Sequence, residues 1–249
     1  LELDTMDIDG KEIQPENYDI RLSNVTFSHD KRKIIDDVSL SIPQKTTTAI
    51  VGPSGGGKST LCNLIARFWD VDSGEITLGG TNVKDYSMNS LMNNFSFVFQ
   101  NVYLFADTIE NNIKFGSPET THEEVVEAAK KACCHDFISK LPDGYNTVIG
   151  EGGATLSGGE KQRVACGSVT AMQPDVFVLD EPTSNLDKES IERLKNTLLL
   201  WKKQGKTIVI AEHRLYWLKE ICDRVVYLEH GRIMFDITMQ EFLKFSEQK

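Results

Sequence analysis

Apolar residues recur along this chain at two spacings, and the places where the spacing changes mark its organisation. Ile20, Leu22, Val25 and Phe27 alternate with polar residues, with one slip, and after the polar turn Ser28 to Lys33 the alternation resumes at Val38, Leu40 and Ile42. A period of two belongs to strands with one buried face. The glycine-bounded segment Gly74-Glu75-Ile76-Thr77-Leu78-Gly79-Gly80 reads as another short strand, so an antiparallel sheet is expected in the N-terminal part. Elsewhere the apolar runs are continuous: Thr48-Ala49-Ile50-Val51, Phe95 to Gln100, Val176-Phe177-Val178-Leu179-Asp180 and Thr207-Ile208-Val209-Ile210-Ala211. Such runs fit strands of a parallel sheet covered on both faces. Between them lie helical patterns. Leu61 to Ala66 starts one helix; Thr121 with Glu124 makes a capping box for another, with Val125, Ala129, Ala132 and Cys133 on one face. Leu141-Pro142-Asp143-Gly144 is a turn, Ser157 to Glu160 opens a helix that runs to about Met172 and is stopped by Pro174, and Ile191 to Lys203 is amphipathic. Val225 to Leu228 and Arg232 to Phe235, joined by Glu229-His230-Gly231, read as a closing hairpin. The alternation predicts an α/β fold: a mainly parallel sheet with helices on both faces, beside a small antiparallel sheet. Leu1 to Asn17, acidic and polar with Gly10 and Pro15, reads as a linker, with structure beginning near Tyr18.

Composition narrows the class. A chain of 249 residues, 40% hydrophobic, buries a sizeable core and fits one α/β domain with room for a subdomain. A net charge of −10 argues against a general nucleic-acid binder, which needs a basic face. The five cysteines, Cys62, Cys133, Cys134, Cys166 and Cys222, form no C-x-x-C pair and read as reduced structural residues of a cytosolic protein. No apolar run reaches the roughly 18 residues that span a bilayer and no signal-peptide pattern is present, so membrane spanning, if needed, falls to another segment or chain.

The chemistry centres on Gly52-Pro53-Ser54-Gly55-Gly56-Gly57-Lys58-Ser59-Thr60, which satisfies G-x-x-x-x-G-K-[ST] between an expected strand and an expected helix. Here Gly52, Gly55, Gly56 and Gly57, with Ser54, let backbone N–H groups converge on phosphate oxygens at a helix N-terminus. Lys58 would reach the β and γ phosphates, and the Ser59 hydroxyl would hold Mg²⁺. A glycine-rich turn with a chance Lys-Ser is the alternative. Removing a γ-phosphate needs a metal, charge compensation and a water held in line. Asp180, ending its apolar run, is placed to hold Mg²⁺ through water, and Glu181 to act as general base or water-orienting group; taken alone, Asp180-Glu181-Pro182 reads more readily as an acidic strand-to-loop turn than as catalytic. Gln100 could bring an amide to the metal or the water, and His213 a ring nitrogen to the γ-phosphate, although each by itself is an ordinary solvated residue. Leu156-Ser157-Gly158-Gly159-Glu160 holds a capping box, but its paired glycines also leave bare N–H groups, a second anion site at Ser157 and Gly159. Two phosphate-directed elements for one nucleotide point to two chains meeting head to tail.

Taken together, these motifs resemble the nucleotide-binding domain of ABC transporters over residues from about 18 to 240: a P-loop NTPase core with an N-terminal antiparallel β-subdomain and an inserted α-helical subdomain at about 101–170. In that resemblance Gly52 to Thr60 is the Walker A loop, Gln100 the Q-loop, Leu156 to Glu160 the signature, Val176 to Asp180 the Walker B strand, Glu181 the catalytic glutamate, Ser184-Asn185-Leu186-Asp187 the D-loop and His213 the switch histidine. The resemblance implies an ATPase using ATP and Mg²⁺, with Glu181, His213 and Lys58 catalytic and Ser59, Gln100 and Asp180 at the metal. It implies partners in a second nucleotide-binding domain and a transmembrane domain, at the cytoplasmic face of the cell membrane and without nucleic acid. Phe99 to Phe105, Thr108-Ile109 and Asn112-Ile113 look like the exporter branch. Several positions depart from the family pattern. His29 stands where exporters place an adenine-stacking tyrosine, Lys45 replaces a glycine, and Gly167-Ser168-Val169 replaces Ala-Arg-Ala. Ile210-Ala211-Glu212-His213-Arg214-Leu215 is similar to the energy-coupling-factor importers, as in a natural hybrid or a chimera. Two other functions compete with export: a soluble ABC ATPase acting on DNA or the ribosome, and a nucleotide-binding module without turnover.

Overall fold

The computed structural model describes residues 9–184 and 186–246. In chain order, β1 (Ile20–His29) and β2 (Arg32–Ile42) form a hairpin, β3 (Thr47–Val51) leads through the glycine loop into helix α1 (Lys58–Ile65), and β4 (Ser73–Leu78), β5 (Thr81–Asn82), α2 (Met88–Met92) and β6 (Phe95–Val98) follow. Four helices come next: α3 (Ile109–Lys114), α4 (His122–Lys131), α5 (His135–Ile138) and α6 (Gly158–Ala171). The last part comprises β7 (Val176–Asp180), α7 (Lys188–Lys203), β8 (Thr207–Glu212), β9 (Arg224–Glu229), β10 (Arg232–Thr238) and α8 (Met239–Ser246).

The strands make two sheets. One is antiparallel, in the order β2-β1-β4-β5; the other has the order β10-β9-β3-β8-β7-β6 and is parallel except for β10 at its edge. Every residue of β3, β7 and β8 is buried, as the uninterrupted apolar runs require of a sheet covered on both sides. The pleat sends alternate residues to two cores. Ala49, Val51, Phe177, Leu179, Ile208 and Ile210 face the side packed by the helices from α3 to α7. Ile50, Val176, Val178, Val209 and Ala211 face α1, whose Leu61, Leu64 and Ile65 join the antiparallel sheet's Leu22, Val25 and Val38. Phe177 and Trp201 stack with centroids 3.8 Å apart, and truncating either ring should cost about 3–5 kcal/mol. All five cysteines are free, and burial pushes the Cys166 and Cys222 thiols up to about 12, which keeps them protonated and inert.

Several boundaries differ from the sequence expectation. Of the stretch read as a linker, Leu1 to Ile8 lie outside the described residues, but structure begins well before Tyr18. The N–H of Lys11 donates to the Asp85 carbonyl at 2.8 Å and its own carbonyl accepts from Ser87 N at 2.7 Å, laying this stretch beside Tyr86. Strand β6 stops at Val98, so Phe99 and Gln100 emerge at its end rather than within it. Helix α4 ends at Lys131 because Cys133 turns into the left-handed region (φ 55°), and Ala128 joins the buried face. Helix α7 starts at Lys188, capped by Asp187, before the apolar periodicity begins. Helices α2, α5 and α8 had no counterpart in the periodicity.

The sheet order positions the site. Strands β3, β8, β7 and β6 are consecutive and parallel, so the segments following all four leave from one edge.

Candidate functional site

The glycine loop follows β3, and its shape is fixed by what lies against it. A Cβ on Gly52 would sit 2.0 Å from the Leu228 carbonyl oxygen of β9, so only glycine lets strand and loop approach this closely. Gly57 occupies the N-cap of α1 in the left-handed region (φ 103°), and among the described residues no side chain caps the helix. The N–H groups of the first turn of α1 are therefore left for a ligand. The Gly231 N–H donates to the Gly56 carbonyl at 3.1 Å, bracing the loop with the β9–β10 turn.

Lys58, only 3% exposed, folds back on its own loop: Nζ donates to the carbonyls of Gly52 and Pro53, both at 3.1 Å, and lies 3.7 Å from Glu181 Oε1. The Ser59 hydroxyl donates to Asp180 Oδ1 at 2.9 Å, joining the loop to the end of β7. Asp180 is 8% exposed, and its pKa is raised, chiefly by burial. The Glu181 and Glu212 carboxylates push the same way, while the Ser59 hydroxyl and the Lys58 ammonium oppose them. Glu181 sits at φ 43°, a strained conformation for a side-chain-bearing residue, held by its N–H donating to Ala211 O at 2.9 Å. That turn swings its carboxylate over the sheet edge. Gln100 Nε2 donates to Glu181 Oε2 at 3.0 Å, and His213 Nδ1 lies 3.7 Å from the same oxygen. Lys58, Ser59, Gln100, Asp180, Glu181 and His213, spread over 156 positions of sequence, thus converge on one edge. The cleft here, roughly 460 Å³, is lined by Ser54, Gly55, Gly57, Lys58, Ser59, Thr60, Gln100 and Glu181 together with Arg32 and Ile34.

Ser59 Oγ and Asp180 Oδ1 are hard oxygen donors side by side, with the Gln100 side chain nearby, which suits Mg²⁺. Among the described residues no group of three or more His, Cys, Asp or Glu could hold a metal alone. A metal bound here would take its remaining ligands from phosphate and water.

Three expected residues lie apart from this cleft. His29 is at the tip of the β1–β2 hairpin, its ring 6.1 Å from Trp69, which stacks on Phe27 at 5.5 Å. Ser157 and Gly159 sit at the start of α6 on another surface. Ser157 caps α6 with both halves of a capping box, beside a hollow shared with Arg163, Asp187 and Ser190. Gly159 has a local reason to be glycine: a Cβ would lie 2.5 Å from Ser190 Oγ, where α6 rests on α7. Of the D-loop stretch, Asn185 lies outside the described residues.

Sequence reasoning missed Glu212 and Thr183, both fully buried beneath the cleft. Glu212 Oε2 accepts from the Thr183 hydroxyl at 2.5 Å, and Oε1 accepts from the N–H groups of His213 at 2.8 Å and Arg214 at 3.1 Å. Glu212 therefore fixes the segment that carries His213. Its signal was available, because an apolar run ending in an acid also marks Asp180.

A phosphate-cradling loop at the end of a central parallel strand, with a carboxylate pair on a nearby strand end, defines a P-loop nucleotide-binding fold. Residues 35–184, more than half of the chain, match the family described as ABC transporter. The putative multidrug export ATP-binding/permease protein YgaD of Bacillus subtilis (strain 168) is 42% identical over 231 residues, 92% of this chain and 40% of that protein. A putative multidrug export ATP-binding/permease protein of Staphylococcus aureus (strain NCTC 8325 / PS 47) is 44% identical over 232 residues, 93% of this chain and 40% of its own length. A bacterial Atm1-family ABC exporter solved with ATP bound superposes with a TM-score of 0.90 at 33% identity, over 96% of this chain and 41% of that one. The chain belongs to the ABC transporter family. It spans about two fifths of the length of these relatives.

Proposed function

We propose that this chain is the motor domain of a membrane exporter, and that two copies, or this chain and a close relative, close head to tail around MgATP. The observation that carries the reading is a division of labour. One surface gathers Lys58, Ser59, Gln100, Asp180, Glu181 and His213, while Ser157 lies exposed at the start of α6, apart from them, beside the half-buried Gly159. A second chain would bring its Ser157 and the N–H groups at Gly158 and Gly159 to the open side of the first chain's cleft. There Lys58 exchanges the Gly52 and Pro53 carbonyls for phosphate oxygens, joined by the N–H groups of the loop from Gly55 to Thr60, and His29 stacks on the base. Ser59, and Asp180 through water, would hold Mg²⁺ with Gln100 beside it, and the ion would supply charge neutralisation at the phosphates. Glu181 takes a proton from the attacking water, and His213, held by Glu212, faces the γ-phosphate side.

Coupling to a membrane is supported by an apolar groove of roughly 340 Å³ whose lining includes Phe99, Tyr103, Phe105 and Phe115. Phe115 is 63% exposed and stacks on Phe105 at 4.2 Å. An amphipathic helix of a transmembrane domain fits such a site, and the export relatives carry a permease name over a length this chain does not span. No helix among the described residues is long and apolar enough to cross a membrane, so attachment to the cytoplasmic face would come from that partner. An importer-like last third is supported by Ile210 to Leu215 alone, whereas the export relatives align over more than nine tenths of the chain. The experiment is ATP turnover of the wild type against Glu181→Gln at protein concentrations that favour pairing. A loss of about 10²-fold or more is expected, and equal rates would sink the motor reading.

A further inference from the structure

We propose that Arg32 is a nucleotide-binding residue of this cleft, supplying a second cation to a nucleoside polyphosphate; the inference rests on the phosphate-loop reading above. The β1–β2 hairpin turns through Asp30 and Lys31, with Asp30 at φ 55°, and its last pair is His29 opposite Arg32. Residues opposite each other in an antiparallel pair share a face, about 5 Å apart. Arg32 therefore stands next to the ring proposed to stack on the base, and it lines the same cleft as Gly55, Gly57 and Lys58.

The hairpin's other charges are arranged differently. Lys33 is committed to Asp36 at 2.8 Å, and Arg232 pairs with the same carboxylate at 2.5 Å. Lys31 is not part of the cleft lining. Arg32 is exposed and makes no side-chain hydrogen bond or ion pair among the described residues, so a ligand would not have to displace a partner. Its backbone pairs with that of His29, whose ring lies 6.1 Å from Trp69, and Trp69 in turn stacks on Phe27. The guanidinium thus hangs from a fixed base while its own side chain remains free. In a chain of net charge −10, a polyanion gains from each local cation, and a planar guanidinium offers paired donors to phosphate oxygens. Where Lys58 is the buried cation of the cleft, Arg32 is the exposed one at its rim. This arrangement offsets the smaller stacking area of an imidazole at His29.

The test is equilibrium binding of MgATP to wild type, Arg32→Ala, Arg32→Lys and Lys58→Ala, by calorimetry at low and high salt. Arg32→Ala should raise the Kd for MgATP about 3- to 10-fold, the range of an exposed charge-assisted contact, and flatten its salt dependence. Arg32→Lys should recover part of the affinity. Arg32→Ala binding MgATP as tightly as wild type at low salt, or losing affinity with an unchanged salt slope, overturns the proposal. Failure of the wild type itself to bind, or Lys58→Ala binding unimpaired, overturns the phosphate-loop reading instead and takes this inference with it.

Discussion

Thr183→Val probes the least visible part of the site. Valine matches threonine in shape, so the substitution removes the hydroxyl that donates to Glu212 Oε2 at 2.5 Å and leaves packing nearly unchanged. Glu212 is fully buried, and among the described residues its other close partners are the backbone N–H groups of His213 and Arg214 and the His213 Nδ1 ring nitrogen at 3.3 Å, all on Oε1. One carboxylate oxygen would thus lose its donor without access to bulk water. A hydrogen bond to a charged group contributes about 1.5–3 kcal/mol, and burial of the orphaned oxygen places this case near the top of that range. For a chain of this size each kcal/mol moves the midpoint by about 2–4 °C, so a drop of about 5–10 °C is expected in thermal unfolding without nucleotide. Because Glu212 also sets the path of His213, turnover should fall by more than MgATP affinity. In a double-mutant cycle with Glu212→Gln, the two changes should be strongly non-additive. A Thr183→Val midpoint within a degree of wild type, or strict additivity in the cycle, would show that the clamp does not hold the segment.

Two further outcomes follow from the geometry. Gly159→Ala forces a methyl to within 2.5 Å of Ser190 Oγ, so stability should fall by about 1–3 kcal/mol, and adding Ser190→Ala should restore most of it; denaturant midpoints decide. Asp180 has a folded-state pKa raised above its ordinary 3.8, so the folded chain holds this proton more tightly than the unfolded chain. Its stabilising contribution is complete below the unfolded value and is lost as pH rises through the folded one. Without Mg²⁺, Asp180→Asn should therefore gain stability over wild type as pH is raised from about 4 to 7, and a gap that narrows over that window would contradict the electrostatic account.

The parallel sheet was legible because its strands are apolar without interruption, and the two capping boxes at Thr121 and Ser157 located helix starts to the residue. Ser59, Asp180 and Glu181 were legible for the same reason, since each sits at the end of an apolar run or in a motif of fixed spacing. What escaped had no period to reveal it. Helices α2 and α5 have 5 and 4 residues, too short for a face to repeat, and the anchoring of Lys11 depends on backbone bonds that any residue could make. The packing demand on Gly159 comes from Ser190, 31 positions away, and the place of Arg32 in the cleft comes from the path of the β1–β2 hairpin. Tertiary proximity of this kind is written in no local pattern.

The central claim is that Ser157 of one chain completes the nucleotide site of another. Sedimentation of Glu181→Gln with MgATP tests it most directly, alone and with Ser157→Asp added. Aspartate can still accept from the Glu160 N–H as an N-cap, though it loses the Ser157 hydroxyl's bond to Glu160 Oε2, and it sets a negative charge against the partner's phosphate. The account predicts a nucleotide-dependent dimer for Glu181→Gln and a monomer that still binds MgATP for the double variant. An equally stable dimer with Ser157→Asp, or no dimer at all when MgATP is bound to Glu181→Gln, would contradict it.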